Sequence, residues 1–223
     1  MTLFLRILII SSLLTGCVDF AVNTSKYKQP KYASSSSYPL AEISTMRGGL
    51  GGIFSKGMNH LENTLENNYG IPASSTVWYR GPALTKKIIR DHQAHPSRPI
   101  ILIGHSLGAN EQINVAKALN KAHIPVALLI TVDPVMPATV SSNVKHVINF
   151  YKLSFIPMFS GLRIRAQNTQ LTHLENINVA TLPGAKVNHF TIDSNPVIQH
   201  QMLEAVLQTL KASRSTKEAV HVK

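Results

Sequence analysis

Residues 99–108, which read PIILIGHSLG, constrain the possible folds of this chain more than any other stretch. The apolar residues 100–103 do not alternate with polar ones, so they predict a strand that is buried on both faces of a sheet. A turn with the pattern Gly-x-Ser-x-Gly follows directly at 104–108. Apolar residues then recur at helical spacing through 109–121. The stretch therefore predicts a central strand, a sharp turn and a helix.

The turn Gly104-His105-Ser106-Leu107-Gly108 matches a nucleophile elbow, in which the serine lies on a strained strand-to-helix turn. Glycines at 104 and 108 fit because side chains there would collide with neighbouring backbone. The Ser106 hydroxyl would lie at a helix N-terminus, where backbone N–H groups favour developing negative charge. The alternative is a passive serine in a glycine-rich turn.

The sequence Gly-His-Ser-Leu-Gly resembles the elbow of α/β-hydrolases of the lipase and thioesterase type. This resemblance implies a small α/β-hydrolase fold, which is a doubly wound, mostly parallel sheet flanked by helices. A large cap domain is not expected, since only residues 153–165 offer material for a lid. That apolar segment predicts a small cap or the wall of an acyl pocket, or alternatively a helix of the core.

Strands alternating with helices along 41–212 predict a parallel, doubly wound sheet in one domain, followed by a polar tail at 213–223. The predicted strands are 41–46, 75–79, 100–103, 126–132, 144–151 and 177–182, and the predicted helices are 54–68, 82–94, 109–121 and 195–210.

The composition fits one globular domain, with 223 residues of which 44% are apolar. The net charge of +11 comes from scattered lysines and arginines, and no nucleic-acid-binding motif is present. We therefore expect attraction to an anionic membrane surface and no nucleic-acid partner. Cys17 is the only cysteine, which excludes an intramolecular disulfide.

The N-terminal residues 1–16 predict a signal peptide, with Arg6 preceding a short apolar core. The segment Leu14-Thr15-Gly16-Cys17 resembles the lipobox of bacterial lipoproteins, which implies cleavage before Cys17 and a lipid on that residue. Residues 17–40 then predict a flexible tether. An ordinary signal peptide and a packed N-terminal arm are the alternatives. The prediction is a bacterial cell-envelope protein, anchored in the membrane by lipid on the periplasmic or surface side.

A glycine-rich loop, Gly48-Gly49-Leu50-Gly51-Gly52, separates the first predicted strand from the first helix. Its spacing fails the dinucleotide-binding pattern, because residue 54 is phenylalanine rather than glycine. In the family that the chain resembles, a loop in this place donates backbone N–H groups to an oxyanion. The resemblance therefore implies an oxyanion hole formed by the N–H of Leu107 and that of Gly49 or Leu50. A plain tight turn is the alternative.

Asp133 is the predicted catalytic acid, because it ends the strand after the elbow and the family order is Ser, then Asp or Glu, then His. Its neighbour Pro134 leaves a capping or turn role open as the alternative. The rival acids fit less well: Glu175 is expected in a loop, Asp193 follows the best histidine, and Glu204 is expected on the last helix.

His189 is the predicted base among ten histidines, because it lies between the last strand and the final helix. A serine hydroxyl needs such a base to take its proton, and the base needs an acid to orient it. His105, beside the nucleophile, is interpreted as motif packing, and His173 is expected in a loop.

No metal or cofactor is expected, since the sequence has no His-Glu-x-x-His pattern and no cysteine pair. The resemblance implies a serine hydrolase, active as a monomer on small-molecule or lipid esters. A lipoprotein of the cell envelope meets lipid and other esters more readily than coenzyme A thioesters. The predicted location therefore favours carboxylic esters as substrates. The alternatives are a thioesterase and a non-catalytic lipoprotein that uses the fold as a binding module.

Overall fold

The computed structural model describes residues 38–156 and 159–221, and of residues 216–221 it describes the backbone only. The predicted signal peptide, Cys17 and the tether as far as residue 37 lie outside the described residues. Within that part of the chain, no helix combines the length and hydrophobicity needed to cross a bilayer.

The described residues form a six-stranded parallel sheet with the strand order β2-β1-β3-β4-β6-β8. A second, two-stranded parallel sheet pairs β5 with β7. The strands are β1 (Glu42–Arg47), β2 (Ser74–Val77), β3 (Ile100–His105), β4 (Val126–Val132), β5 (Thr139–Val140), β6 (Val144–Tyr151), β7 (Arg165–Ala166) and β8 (His173–Asn178). The helices are α1 (Lys56–Tyr69), α2 (Gly81–Ala94), α3 (Leu107–Lys121) and α4 (Pro196–His221), and short 3₁₀ turns span Leu50–Gly52, Trp78–Arg80 and Val179–Thr181.

The central strand β3 is buried along its whole length because helices cover both faces of the sheet. Ile101 and Ile103 pack in one core cluster with α1 and α4. Ile100 and Leu102 point the other way and pack with α2 and α3. Alternate side chains of a strand face opposite sides, so a strand between two helical layers is apolar throughout. The predicted doubly wound α/β arrangement is confirmed, and the described residues include no large cap domain.

Most predicted elements are present with ends shifted by one or two residues, and two strands, β4 and β6, have the predicted bounds. The predicted strand at 177–182 is wrong. The last strand is β8, which starts earlier at His173, and residues 179–181 form a 3₁₀ turn. His173 and Glu175 therefore lie in a strand, not in the loop expected for them. Helix α4 continues past residue 210 to His221.

The residues predicted for the active site all lie in connections at the carboxyl edge of the sheet. The glycine-rich loop follows β1, Ser106 follows β3, Asp133 follows β4, and His189 lies in the connection from β8 to α4. Ligand sites of open α/β sheets form at this edge.

Candidate active site

Ser106 lies at the apex of a tight turn between β3 and α3, with φ 58° and ψ −127°. A side chain at Gly104 would meet the backbone of Gly108, and one at Gly108 would meet the carbonyl of Met46. Both glycines are therefore required by close backbone contacts. Leu107 is the first residue of α3, so its N–H has no partner within the helix.

His189 connects Ser106 to Asp133 by two short hydrogen bonds. Its Nε2 is 3.0 Å from Ser106 Oγ, and its Nδ1 is 2.7 Å from Asp133 Oδ2. A carboxylate only accepts, so Nδ1 carries the proton and Nε2 accepts from the serine hydroxyl. All three residues are buried, with Asp133 fully inaccessible. The structure thus brings the three predicted residues into one chain of hydrogen bonds.

Backbone groups of neighbouring segments fix the position of Asp133. Its N–H donates to the Phe150 carbonyl at 2.7 Å, and its Oδ1 accepts from the Lys152 N–H at 2.8 Å. Gly161 packs so close that a Cβ there would overlap Oδ1. The carboxylate therefore has one oxygen fixed by backbone and the other directed at His189.

The glycine-rich loop lies directly against Ser106. A Cβ on Gly48 would come within 2.8 Å of Ser106 Cβ, and one on Gly49 within 3.1 Å of Leu107 Cδ1. Leu50 has a φ of 53°, which is unusual for leucine. Among the described hydrogen bonds, none uses the N–H of Gly49 or of Leu50. The loop therefore lies beside Ser106, and the role of its N–H groups as oxyanion donors stays a prediction.

His105 is buried beside His189, and both of its ring nitrogens have partners. Nε2 is 2.9 Å from the His189 carbonyl, and Nδ1 is 2.8 Å from Ser55 Oγ, which accepts from the Gly48 N–H at 2.9 Å. Burial, and next the charge of His189, lower the pKa of His105 to about 3. His105 is therefore neutral, and since neither of its ring nitrogens is directed at Ser106 Oγ, it is not placed to act as a second base.

The three rival acids lie away from this chain of contacts. Asp193 Oδ2 accepts from the Gly57 N–H at 2.8 Å, and Glu175 Oε1 lies 2.7 Å from His146 Nε2. Glu204 lies on α4. None of them is bonded to His189.

Aromatic side chains border His189 and form what we call the aromatic rim, defined as Phe54, Phe159 and Phe190. The Phe190 ring centroid is 4.9 Å from that of Phe54 and 4.8 Å from that of Phe159, which is itself 5.6 Å from the His189 ring. Residues 153–156 and 159–164 contain no α-helix, and Phe159 in this segment lies beside His189, so the described part of 153–165 borders the site and is not a core helix. Phe155 in this segment is fully exposed.

Comparisons with known proteins give only distant likenesses. No family model matches the chain, and no curated protein matches it. Solved structures that resemble it include a gene product of Listeria innocua (TM-score 0.48, 11% identity, covering 73% of this chain and 92% of that one). A cutinase-like protein from a Cryptococcus species has a TM-score of 0.44 and 18% identity, covering 79% and 97%. A candidate hydrolase of the α/β superfamily from Xanthomonas campestris pv. campestris has a TM-score of 0.40 and 12% identity, covering 75% and 99%. The site is therefore interpreted from its own geometry.

Sequence reasoning missed the residues that support the predicted ones. Lys152 contributes its backbone N–H to Asp133 and its Nζ to the Val187 carbonyl, and Gly161 leaves room for the carboxylate. Ser55 reaches His105 from 50 positions away in the chain. None of these residues belongs to a motif, so no signal in one sequence identifies them.

Proposed function

We propose that this protein is a serine hydrolase that cleaves carboxylic esters with an apolar acyl group. The observation that carries the proposal is the unbroken series of contacts from Ser106 through His189 to Asp133, with a nucleophile in the strained turn that such chemistry uses. Ser106, His189 and Asp133 would be the nucleophile, the base and the orienting acid.

In the acylation step, His189 Nε2 takes the proton of Ser106 Oγ as that oxygen attacks the ester carbonyl carbon. The carbonyl oxygen becomes an oxyanion and accepts hydrogen bonds from the N–H of Leu107 and from that of Gly49 or Leu50. Collapse of this intermediate breaks the bond to the alkoxy oxygen, and His189 gives its proton to the departing alcohol. An acyl-serine remains.

In the deacylation step, His189 takes a proton from water, whose oxygen attacks the acyl carbonyl carbon. The second tetrahedral intermediate collapses, releases the carboxylic acid and returns the proton to Ser106 Oγ. Asp133 accepts from Nδ1–H throughout, which holds the ring in the tautomer that leaves Nε2 free to accept. Both steps use the same donors and base.

The surroundings of the site favour an apolar acyl group. The aromatic rim lies on one side of His189, and Leu50, Ile53 and Phe54 of the loop after β1 are each more than two-fifths exposed. Apolar walls with a few directed polar groups are typical of sites for small apolar ligands. Exposed apolar residues grouped around one site indicate a binding surface.

The decisive experiment is labelling with a fluorophosphonate probe, which reacts only with an activated serine. We expect labelling of the wild-type protein and of Ser97→Ala, which changes an exposed turn serine, but none of Ser106→Ala. Hydrolysis of p-nitrophenyl esters should follow the same pattern. A panel of acyl lengths, run beside matched thioesters, tests the preference for esters of apolar acids.

Two outcomes would contradict the proposal. A wild-type protein that binds ester analogues but is neither labelled nor hydrolytic would support the binding-module alternative. Faster turnover of every thioester than of its matched ester would make the protein a thioesterase.

A further inference from the structure

A second cluster of reactive side chains spans the last two strands of the sheet, β6 and β8, away from Ser106. His146 on β6 stands opposite His173 on β8, and Ile148 stands opposite Glu175. Side chains of a strand alternate, so His146, His173 and Glu175 share one face. His146 lies near the start of β6, whereas Asp133 follows the far end of β4. The cluster is therefore at the opposite edge from the candidate active site.

The three side chains converge on a small volume. Glu175 Oε1 is 2.7 Å from His146 Nε2 and 3.5 Å from His173 Nε2, and one ligand atom from each residue lies within 4.8 Å of the others. Ligand atoms of a tetrahedral zinc ion are about 3.3 Å apart, as follows from metal–ligand distances near 2.0–2.1 Å. Small side-chain rotations would bring these atoms to that spacing without moving either strand.

We propose that His146, His173 and Glu175 form a binding site for a divalent transition-metal ion, with zinc as the best fit. Two imidazoles and one carboxylate suit zinc, whereas calcium and magnesium prefer oxygen ligands alone. The side chains are partly exposed, between 33% and 72%, so water can complete the coordination and the ion can enter from solvent.

A metal at this place would tie the edge strand β8 to β6. Anything that binds only the folded state stabilises it by mass action, so the thermal midpoint should rise with zinc concentration. The distance along the strands from the candidate active site predicts that ester hydrolysis does not change. The site is therefore structural, and it does not depend on the proposed hydrolase function.

The test is calorimetric titration of the full chain with ZnCl₂, on protein without a histidine tag, together with thermal denaturation. We expect one ion per chain and a saturable rise in the midpoint. Removing a ligand in His173→Gln or Glu175→Gln should weaken zinc binding at least about tenfold. Even substitutions of residues that only hydrogen-bond to a metal ligand weaken binding by that much. His60→Gln, which changes an exposed histidine of α1, should bind like wild type.

Cobalt provides a second measurement, because it replaces zinc and its visible absorption reports coordination by nitrogen ligands. The proposal is overturned if the wild-type protein binds no zinc, or if both ligand variants bind it as tightly as wild type. His173 is the most exposed of the three, so His173→Gln tests the ligand set even if a change at His146 fails to fold.

A different observation, the buried contacts of His105, carries an inference that rests on the proposed hydrolase function. The Nε2–H of His105 donates to the carbonyl of His189 itself, since a carbonyl can only accept. Nδ1 must then accept, so the Ser55 hydroxyl donates to it and receives the Gly48 N–H. Every proton in this network is assigned by its partners.

We infer that His105 is a positioning residue, which holds the backbone of the catalytic histidine and the loop after β1 in register with Ser106. The imidazole of His105, the residue before Ser106, bonds to two other segments of the chain. One segment carries the proposed base His189, and the other is the loop that carries the proposed oxyanion donors. Gly48 and Ser55 lie seven positions apart in the loop after β1, whereas His189 is 84 positions from His105, so His105 joins segments that are distant in the chain.

The substitution His105→Phe keeps a buried ring but removes both hydrogen bonds. We expect kcat to fall at least about tenfold with little change in KM, because misplacement of catalytic groups by a fraction of an ångström is costly. Ser55→Ala removes the contacts of its hydroxyl with His105 Nδ1 and with the Gly48 N–H, but it keeps the contact of His105 with the His189 carbonyl and should cost less. Adding Ser55→Ala to His105→Phe should cost less than it does in the wild type, because the bond between Ser55 and His105 is then already lost.

The rate of fluorophosphonate labelling of folded protein separates positioning from simple packing. A slower labelling rate in His105→Phe, with partial recovery in His105→Gln, is expected, while His60→Gln should match wild type. A lower thermal midpoint with an unchanged labelling rate would overturn the inference. Failure of the wild type to label would instead contradict the hydrolase proposal, so the two failures are distinguishable.

Discussion

Backbone strain is concentrated at the candidate active site. Among the described residues, non-glycine residues with positive φ are Leu50, Ser106, His123 and Asp133, and three of these four line the site. Such conformations cost of order 1–3 kcal/mol each and persist only where the surroundings enforce them. Their grouping around one serine supports a functional origin for the strain.

The substitution Asp133→Asn tests the role of the acid. The amide should fit in the same space, but its NH₂ group cannot accept from His189 Nδ1–H, so the imidazole would be left in the wrong tautomer. By analogy with serine proteases, we expect a loss of ~10⁴-fold in kcat. Ester hydrolysis is measured beside circular dichroism, and a folded variant with a loss below about tenfold would exclude Asp133 as the acid.

Asp193 makes stability depend on pH. Its Oδ1 is buried with no hydrogen-bond partner among the described residues, and burial raises the pKa of this carboxyl from 3.8 to about 6. A raised pKa means that the folded state binds the proton more tightly. Its contribution to stability is therefore complete below pH 3.8 and is lost as the pH rises through 6.

The variant Asp193→Asn cannot ionise and can still accept the Gly57 N–H through its side-chain oxygen. The wild type should lose stability between pH 4 and pH 8 as Asp193 ionises, and the variant should not. The free energy of unfolding of the variant minus that of wild type should therefore rise by up to about 3 kcal/mol over this range. Urea denaturation of both proteins at the two pH values measures this gain. Parallel changes in the two proteins would contradict the prediction.

At the scale of elements, the predictable strands are those between two helical layers. Strands β4 and β6 present long apolar runs, and their bounds could be predicted from the sequence. The edge strand β8 reads HLENIN, in which four of six residues are polar, and among the described strands it has no neighbour on its outer side. Apolar residues within 177–182 predict a further strand there. Instead, β8 ends at Asn178 and residues 179–181 form a 3₁₀ turn, in which Val179 is buried.

The loop after β6 supports Asp133, and Gly161→Ala tests that support. The added methyl group would overlap Oδ1 and force the carboxylate to rotate away from His189. We expect hydrolysis to fall by between tenfold and the loss caused by Asp133→Asn, with the fold retained. Kinetics and the thermal midpoint are measured together.

The double variant is the control for this prediction. If Gly161→Ala acts through the carboxylate, adding it to Asp133→Asn should cost little further activity. Independent, multiplied losses would mean that Gly161 acts elsewhere.

At the scale of the whole molecule, the site is assembled from positions far apart in the chain. Ser106, Asp133 and His189 could be predicted from the chain order that the resemblance implies, together with the order of strands and helices, which brings their connections to one edge of the sheet. Their distances, the orientation of Asp133 and the network through His105 depend on packing between distant segments. Such contacts leave no periodic pattern in one sequence, so they could not be predicted.

The last prediction concerns where the folded domain is held, and it rests on the Leu14-Thr15-Gly16-Cys17 motif. We propose that Cys17 carries lipid and that residues 18–40 tether the domain to a membrane. More than one acyl chain is needed for stable anchoring, because a single chain binds only marginally. Cleavage before Cys17 removes Arg6 and leaves 21 basic against 11 acidic residues, and this net charge of +10 would add attraction to anionic lipids, which salt screens. In a bacterial host, Cys17→Ser should therefore lose its acyl mass and move from the membrane to the soluble fraction, most completely at high salt.

Fluorophosphonate labelling should be unchanged, since the substitution lies outside the domain. Intact mass and membrane fractionation of both proteins provide the measurement. A wild type without acyl mass, or a variant that stays on membranes in high salt, would contradict the anchor.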